Sequence, residues 1–331
     1  MVTQRSPLPR VCIVSPALAA ANNGNWHTAS RWQRFLAPVA AVEISSAGDG
    51  GTEADLLIAL HARRSADAVA RWRDRRPEAP IVLVLTGTDL YRDLEVDSHA
   101  RHSLQCASSI VVLQEAGLDR LDAASRAHAT VIVQSAEALI AAHRDCDFDF
   151  VAVGHLRDEK DPETLMRAAH LLTSSASPSP TIGHVGDALD ARFADAAGTT
   201  MAACPAYRWL GAMPHAAARR AIARARALVH MSRIEGGANV IVEAVRSRVP
   251  VLASRIDGNV GLLGVDYDGY FPVGDAEALA VLMRRFVEDG SFVMHLRAQC
   301  AEREPLFRPG AERAAVRQLV SGLLAARKPL G

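Results

Sequence analysis

The chain has no excess of charge of either sign. Lys+Arg and Asp+Glu are both 37, giving a formal net charge of zero. A surface built for nucleic acid or an anionic membrane carries surplus Lys and Arg, so neither is expected as the main partner. A cysteine framework is also missing. The five cysteines, Cys12, Cys106, Cys146, Cys204 and Cys300, are odd in number and show no paired spacing. That argues against disulfides and zinc, and for a reducing, cytoplasmic setting. No uncharged stretch is long and apolar enough to span a bilayer. Arg10 followed by VCIVSPALAAA mimics a short signal peptide, but Ser-Pro interrupts the run and VCIVS reads as a first β-strand. What remains is a globular chain of 331 residues, 49% apolar. It is too long for one typical core and fits two domains of about 150 residues.

Short β-branched runs alternate with helical patterns. The strand candidates of the first half are 11–15, 41–44, 55–60, 81–86, 109–113 and 130–133, with helices expected over Thr28–Phe35, Ser65–Arg75 and Ala136–Ala142. Continuous apolar strands of this kind suit a parallel sheet covered on both faces. The pattern breaks around HRDCDFDF (143–150) and restarts with strands at 150–154, 181–185, 227–232 and 249–254. A boundary near Asp147 is expected, giving domains 1–147 and 148–331, with the option that the last helix packs back on the first domain. SSASPSP (174–180) reads as a helix-to-strand loop rather than a linker. The expectation is an α/β chain of two doubly wound Rossmann-like domains facing across a cleft. In such sheets ligands sit at the carboxyl ends of the strands.

One stretch carries the most chemistry. RIEGGANVIVEAV, Arg233 to Val245, sets Glu235 and Glu243 eight positions apart around a glycine pair, directly after the strand ALVHMS. Gly236 and Gly237 let a backbone approach a phosphate closely, and a following helix start aims free N–H groups at it. Asn239 is expected as the N-cap. A capping box would need an acid at 242, which is Val242, so Glu243 has another use. The bland reading is an exposed Glu243–Arg246 pair on the helix surface.

This stretch resembles the glutamate–seven residues–glutamate motif of family 4 glycosyltransferases, which have the GT-B fold. The resemblance implies that Glu235 lies against the donor sugar, that Glu243 holds the nucleotide ribose, and that Gly236, Gly237, Ala238 and Asn239 cradle the diphosphate. VAVGHLRDEKDPETLMRAA resembles the segment where an Arg and a Lys grip that diphosphate. Lys160 matches the Lys, His155 stands in the Arg position, and Arg157 lies two residues on. YRWLGAMP (207–214) resembles the strand and turn that meet the base, and VPVLAS and GYFPVGD complete the pattern. The match covers most of the chain and is strongest from 150 to 275.

In the first domain, NNGNWHTASRWQRFL follows the first strand, where the family's loop borders the acceptor. Gly24, Asn25 and Arg31 are candidates there, while Trp26, Trp32 and Phe35 suit helix packing. LIALHARRS ends a strand with His61, Arg63 and Arg64, and adjacent arginines suit an anion. VLTGTDLYRDL resembles the family's HGTD turn with Thr86 in place of its His; Asp89 holds the matching position and equally suits a helix cap. Together with GHLRDEKDP, EGGANV and SRIDGNVGLLGVDYDGYFPVGD, these segments resemble the selenosugar synthases of selenoneine biosynthesis. The resemblance implies transfer of N-acetylglucosamine or glucose from UDP to selenophosphate. Glu235, Thr86 and His61 are then the catalytic candidates. The D-x-D triplets at 147–149 and 266–268 are common by chance, and no metal or other cofactor is expected. Alternatives are a family 4 enzyme acting on a lipid, glycan or thiol, an epimerase or phosphorylase on the same fold, and a silent binding subunit.

Overall fold

The computed structural model describes residues 7–19, 23–46, 53–141, 146–175 and 179–326. The tail of the signal-like run (20–21), Ala142 and the middle of the expected helix-to-strand loop (176–178) lie outside them. The chain forms two compact units, Met1–Gln134 with Pro309–Gly331, and Ser135–Arg308. Residues 135–141, 146 and 147, expected with the first half, fall in the second unit.

Unit 1 holds a parallel six-stranded sheet of β1 (Arg10–Ser15), β2 (Ala41–Ser46), β3 (Leu56–Leu60), β4 (Ile81–Leu85), β5 (Ser109–Val112) and β6 (Ala129–Val131), in the order β2-β1-β3-β4-β5-β6. LLIAL and IVLVL are buried along their whole length. This is why these strands read as continuous apolar runs: helices cover both faces, so neither side alternates with solvent. The first helix runs from Gly24 to Leu36, four residues earlier than its expected start at Thr28. Asn23 caps it, accepting from the amides of Asn25 and Trp26. The last helix, Pro309–Ala326, sends Val316 and Val320 into the same core as Trp32 and Leu36.

Unit 2 holds β7 (Phe148–Val153), β8 (Ile182–Val185), β9 (Tyr207–Gly211), β10 (Ala225–His230), β11 (Val251–Ser254) and β12 (Tyr270–Phe271), again parallel, in the order β12-β11-β10-β7-β8-β9. Counted within the unit this is the doubly wound order 3-2-1-4-5-6, and its direction reverses between β7 and β10. The helix expected over Ala136–Ala142 does not form in 136–141. Its backbone groups are engaged elsewhere: Ala136 N–H donates to Phe307, Arg246 donates to the Ala136 carbonyl, and Arg219 donates to that of Glu137. Among the described residues no helix is long and apolar enough to cross a membrane.

Candidate functional site

The strand-order reversal of unit 2 puts the loops after β7 and β10 side by side. The first carries Gly154, His155, Arg157 and Lys160; the second carries Ser232, Arg233 and Glu235. They are tied together at three points. Arg233 N–H donates to the Glu159 carbonyl at 2.8 Å, and the Arg233 guanidinium meets Asp161 at 2.8 Å. Asp161 takes a left-handed conformation, φ 48°. At the centre Lys160 Nζ donates to Glu235 Oε1.

Glu235 Oε1 collects further partners. Ser232 Oγ donates to it at 2.7 Å, and His230 Nε2 lies 3.4 Å away without an aligned hydrogen bond. The contacts from Lys160, Ser232 and His230 all fall on Oε1, and Oε2 takes no bond from a described residue. Burial works to raise the Glu235 pKa, but the Lys160 ammonium and the His230 ring outweigh it and hold the carboxyl well below the usual range. His230 itself is buried, and that burial lowers its pKa against the pull of Glu235. Glu235 is therefore a fixed anion at neutral pH, and Lys160 the cation beside it.

The backbone behind Glu235 is also fixed. A Cβ on Gly258 would lie 2.0 Å from the Glu235 carbonyl oxygen, so only glycine allows this approach. Ser254 Oγ donates to the Ser232 carbonyl at 2.5 Å, and Asn259 Nδ2 to the Ser254 carbonyl at 2.8 Å. The SRIDGN segment thus braces the loop that presents Glu235.

After the loop comes the helix Asn239–Arg246. Its N-cap is Ala238 rather than the expected Asn239, and Ala238 has no side-chain acceptor. The amides of Ile241 and Val242 already donate to the Ala238 carbonyl, at 3.0 and 3.3 Å, and the helix start carries the positive end of the peptide dipoles. Gly236 and Gly237 lie in the loop directly before this helix, and Lys160 belongs to the loop tied to it at Glu235.

Glu243 is not the exposed partner of Arg246. It is 6% exposed, between buried Val242 and Ala244, and its Oε1 meets His215 Nε2 at 2.6 Å. Arg246 instead binds the Ala136 carbonyl at 2.8 Å and pairs with Glu304. His155 Nδ1 accepts from the Asp187 amide at 3.3 Å, and Arg157 Nε lies 3.8 Å from Glu159.

In unit 1 the loops after β3 and β4 converge. His61 is buried and takes φ 72°, a left-handed conformation that costs a residue with a Cβ about 1 kcal/mol or more. Its Nε2 meets Thr88 Oγ1 at 3.0 Å, and Asp89 and Asp93 lie 3.9 and 4.0 Å from its ring nitrogens. Burial lowers the His61 pKa, with the Asp89 charge opposing it. Asp89, fully buried, accepts from the amides of Ala62 (2.9 Å), Thr86 (2.9 Å) and Gly87 (2.8 Å). It ties the two turns together and does not cap the helix Asp89–Asp93, whose N-cap is Thr88 with no side-chain cap bond. Arg63 Nε sits 2.9 Å from Asp93, and Arg64 is exposed.

The other first-domain candidates do not join this group. Arg31, expected toward an acceptor, is 9% exposed and binds Glu312 of the last helix at 2.8 Å. Trp32 Nε1 donates to the same carboxylate at 2.8 Å, so the pair anchors the last helix to the first. Gly24 and Asn25 open the first helix and do not lie in a loop. The first residue of NNGNWHTASRWQRFL, Asn22, lies outside the described residues. Both D-x-D triplets have structural partners: Asp147 pairs with Arg224, Asp149 with Arg226, and Asp268 with His295.

Sequence reasoning missed Ser232, His230, Gly258 and His215. The first two end the strand ALVHMS, and the carboxyl end of a strand at a direction reversal is where polar side chains deserve inspection. Gly258 and His215 leave no such mark.

The comparisons with known proteins fit this geometry. The family described as Glycosyl transferases group 1 matches residues 140–305. No curated protein matches the chain. Among solved structures, sucrose-phosphate synthase (tll1590) from Thermosynechococcus elongatus superposes with a TM-score of 0.78 at 17% identity, over 96% of this chain and 100% of that one. Anabaena Alr3699/HepE in complex with UDP-glucose gives a TM-score of 0.76 at 15% identity, over 95% and 99%. A glycosyltransferase from Rickettsia africae ESF-5 gives 0.69 at 13%, over 96% and 99%. The chain has the GT-B fold of these glycosyltransferases, and it belongs to the group 1 glycosyl transferases.

Proposed function

We propose that the chain transfers a hexose, N-acetylglucosamine or glucose, from a UDP-sugar to selenophosphate. The observation that carries the donor half is the Lys160–Glu235 pair at the strand-order reversal, with buried Glu243 eight residues on. Lys160 and the helix-start amides suit a diphosphate. Glu235 Oε2 suits a sugar hydroxyl, and Glu243 suits the ribose hydroxyls. The structure of HepE holds UDP-glucose, and a donor of that class fits these residues. The acceptor half rests on the resemblance of LIALHARRS, LTGTDLYRDL and SRIDGNVGLLGVDYDGYFPVGD to selenosugar synthases.

In this reading the selenium of selenophosphate attacks the anomeric carbon. The bond from that carbon to the β-phosphate oxygen breaks, and its electron pair leaves on UDP. The acceptor is already anionic, so no proton has to be removed first. Catalysis then reduces to holding the acceptor and neutralising the leaving diphosphate. Arg63 and Arg64 supply cations for the acceptor, and Lys160 supplies the one for UDP.

The test is mass spectrometry after incubation with UDP-N-acetylglucosamine or UDP-glucose and selenophosphate. A selenium-containing hexose with stoichiometric UDP is expected. If selenophosphate is inert while a thiol, lipid or sugar alcohol is glycosylated, the acceptor assignment fails and the donor assignment stands.

A further inference from the structure

Glu243 lies on an eight-residue helix whose neighbours Ile241, Val242, Ala244 and Val245 are all buried. A buried carboxylate needs hydrogen-bond partners, and a long side chain must be fixed to present its oxygens in one direction. One strong partner is visible. His215 Nε2 lies 2.6 Å from Glu243 Oε1, while Arg219 Nε, next along the same helix face, is 3.9 Å away. Because a carboxylate only accepts, His215 donates through Nε2–H.

His215 comes from a separate element. It is the first residue of the helix His215–Ala223, directly after the turn that leaves β9. Its side chain is 38% exposed, so it reaches Glu243 from the solvent side of the unit. We infer that His215 is a positioning residue for Glu243: by occupying Oε1 it fixes the carboxylate plane and turns Oε2 toward a vicinal diol. The diol is that of the nucleotide ribose, and on this point the inference rests on the donor reading above. A side chain whose rotamer is locked by a second hydrogen bond holds a ligand more tightly than the same side chain left free.

A merely structural role, joining the helices 215–223 and 239–246, predicts something different. It would lower stability and would not care whether the ribose carries its 2′ hydroxyl. The test is therefore calorimetric titration of the full chain with UDP and with 2′-deoxy-UDP. It uses the wild type, His215→Ala, and His215→Gln, which keeps a donor, with melting curves alongside. The wild type should prefer UDP by about tenfold or more, the worth of a hydrogen bond to a charged group. His215→Ala should shrink that ratio toward one mainly by losing UDP affinity, and His215→Gln should recover part of it. If His215→Ala does not fold, His215→Leu fills the site without a donor and carries the same comparison. A His215→Ala protein that keeps the wild-type ratio, or weakens both ligands equally, overturns the inference and leaves the ribose assignment of Glu243 intact. A wild type that binds UDP without preferring it over 2′-deoxy-UDP removes the ribose assignment, and the inference with it.

Discussion

Lys160 Nζ donates to Glu235 Oε1 across 75 residues of sequence, at the reversal between β7 and β10. The ammonium proposed to neutralise the diphosphate is held by the carboxylate beside it. Donor binding must share that ammonium. Glu235→Gln should therefore leave UDP affinity equal to or above the wild type, because Lys160 is released and a nearby negative charge is gone. Turnover should fall by about tenfold or more, as Oε2 loses its charge toward the sugar. Steady-state kinetics beside UDP titration separates the two effects. A parallel loss of both would show that Glu235 holds the nucleotide rather than the sugar.

Lys160→Ala removes the charged half of the proposed cradle. It should weaken UDP binding and depress turnover together, by about tenfold or more for a charge-assisted bond. Arginine at this position would not restore it fully, because a planar fork does not reproduce a point charge.

If Lys160 and the start of the helix Asn239–Arg246 neutralise the leaving group as proposed, it should not need a divalent cation. Activity should persist in EDTA. Loss in EDTA with recovery on adding Mg²⁺ would contradict this account of the leaving group.

In unit 1 the prediction concerns Arg63, which Asp93 holds at 2.9 Å, and Arg64, which is exposed. Replacing the arginine that binds the acceptor with Ala should raise the acceptor KM and leave UDP affinity nearly unchanged. Asp93→Asn should act in the same direction as Arg63→Ala if Asp93 aims that guanidinium. A change in UDP affinity with no change in acceptor KM would refute the assignment.

His184 should contribute to the pH dependence of stability between its unfolded and folded pKa values. It is buried against Tyr207, Nδ1 to hydroxyl 2.9 Å, and burial lowers its pKa from 6.5 to about 4. Between those values the unfolded chain binds the proton and the folded chain does not. The stability present above pH 6.5 is therefore lost as pH falls toward about 4, by roughly 3 kcal/mol. His184→Asn, which keeps an acceptor for the Tyr207 hydroxyl, should flatten the slope even if it lowers the whole curve. An unchanged slope in that variant would assign the acid sensitivity elsewhere.

How much of this was legible in the sequence follows from distance along the chain. The strands were readable because LLIAL and IVLVL are buried on both faces and carry no polar interruption. Glu235 and Lys160 were singled out by the resemblance of their segments to family 4 glycosyltransferases, and the structure brings the two side chains together. The stretch 136–141 misled because its apolar spacing satisfies a helix, while its backbone bonds are taken by Phe307, Arg246 and Arg219. Arg31 looked available because its partner, Glu312, lies 281 positions away. His215 was invisible for the same reason, 28 positions from the carboxylate it fixes. Local pattern gives elements and their ends, but the partner of a long polar side chain is a tertiary fact.

The account turns on UDP being held in unit 2 between Lys160 and Glu243, and direct titration tests that most closely. Calorimetry of the wild type with UDP should show saturable binding at one site. Glu243→Ala should weaken it by about tenfold or more, since hydrogen bonds to a charged acceptor contribute roughly 1.5–3 kcal/mol. Wild-type protein that does not bind UDP, or a Glu243→Ala variant that binds it as well as the wild type, would contradict the account.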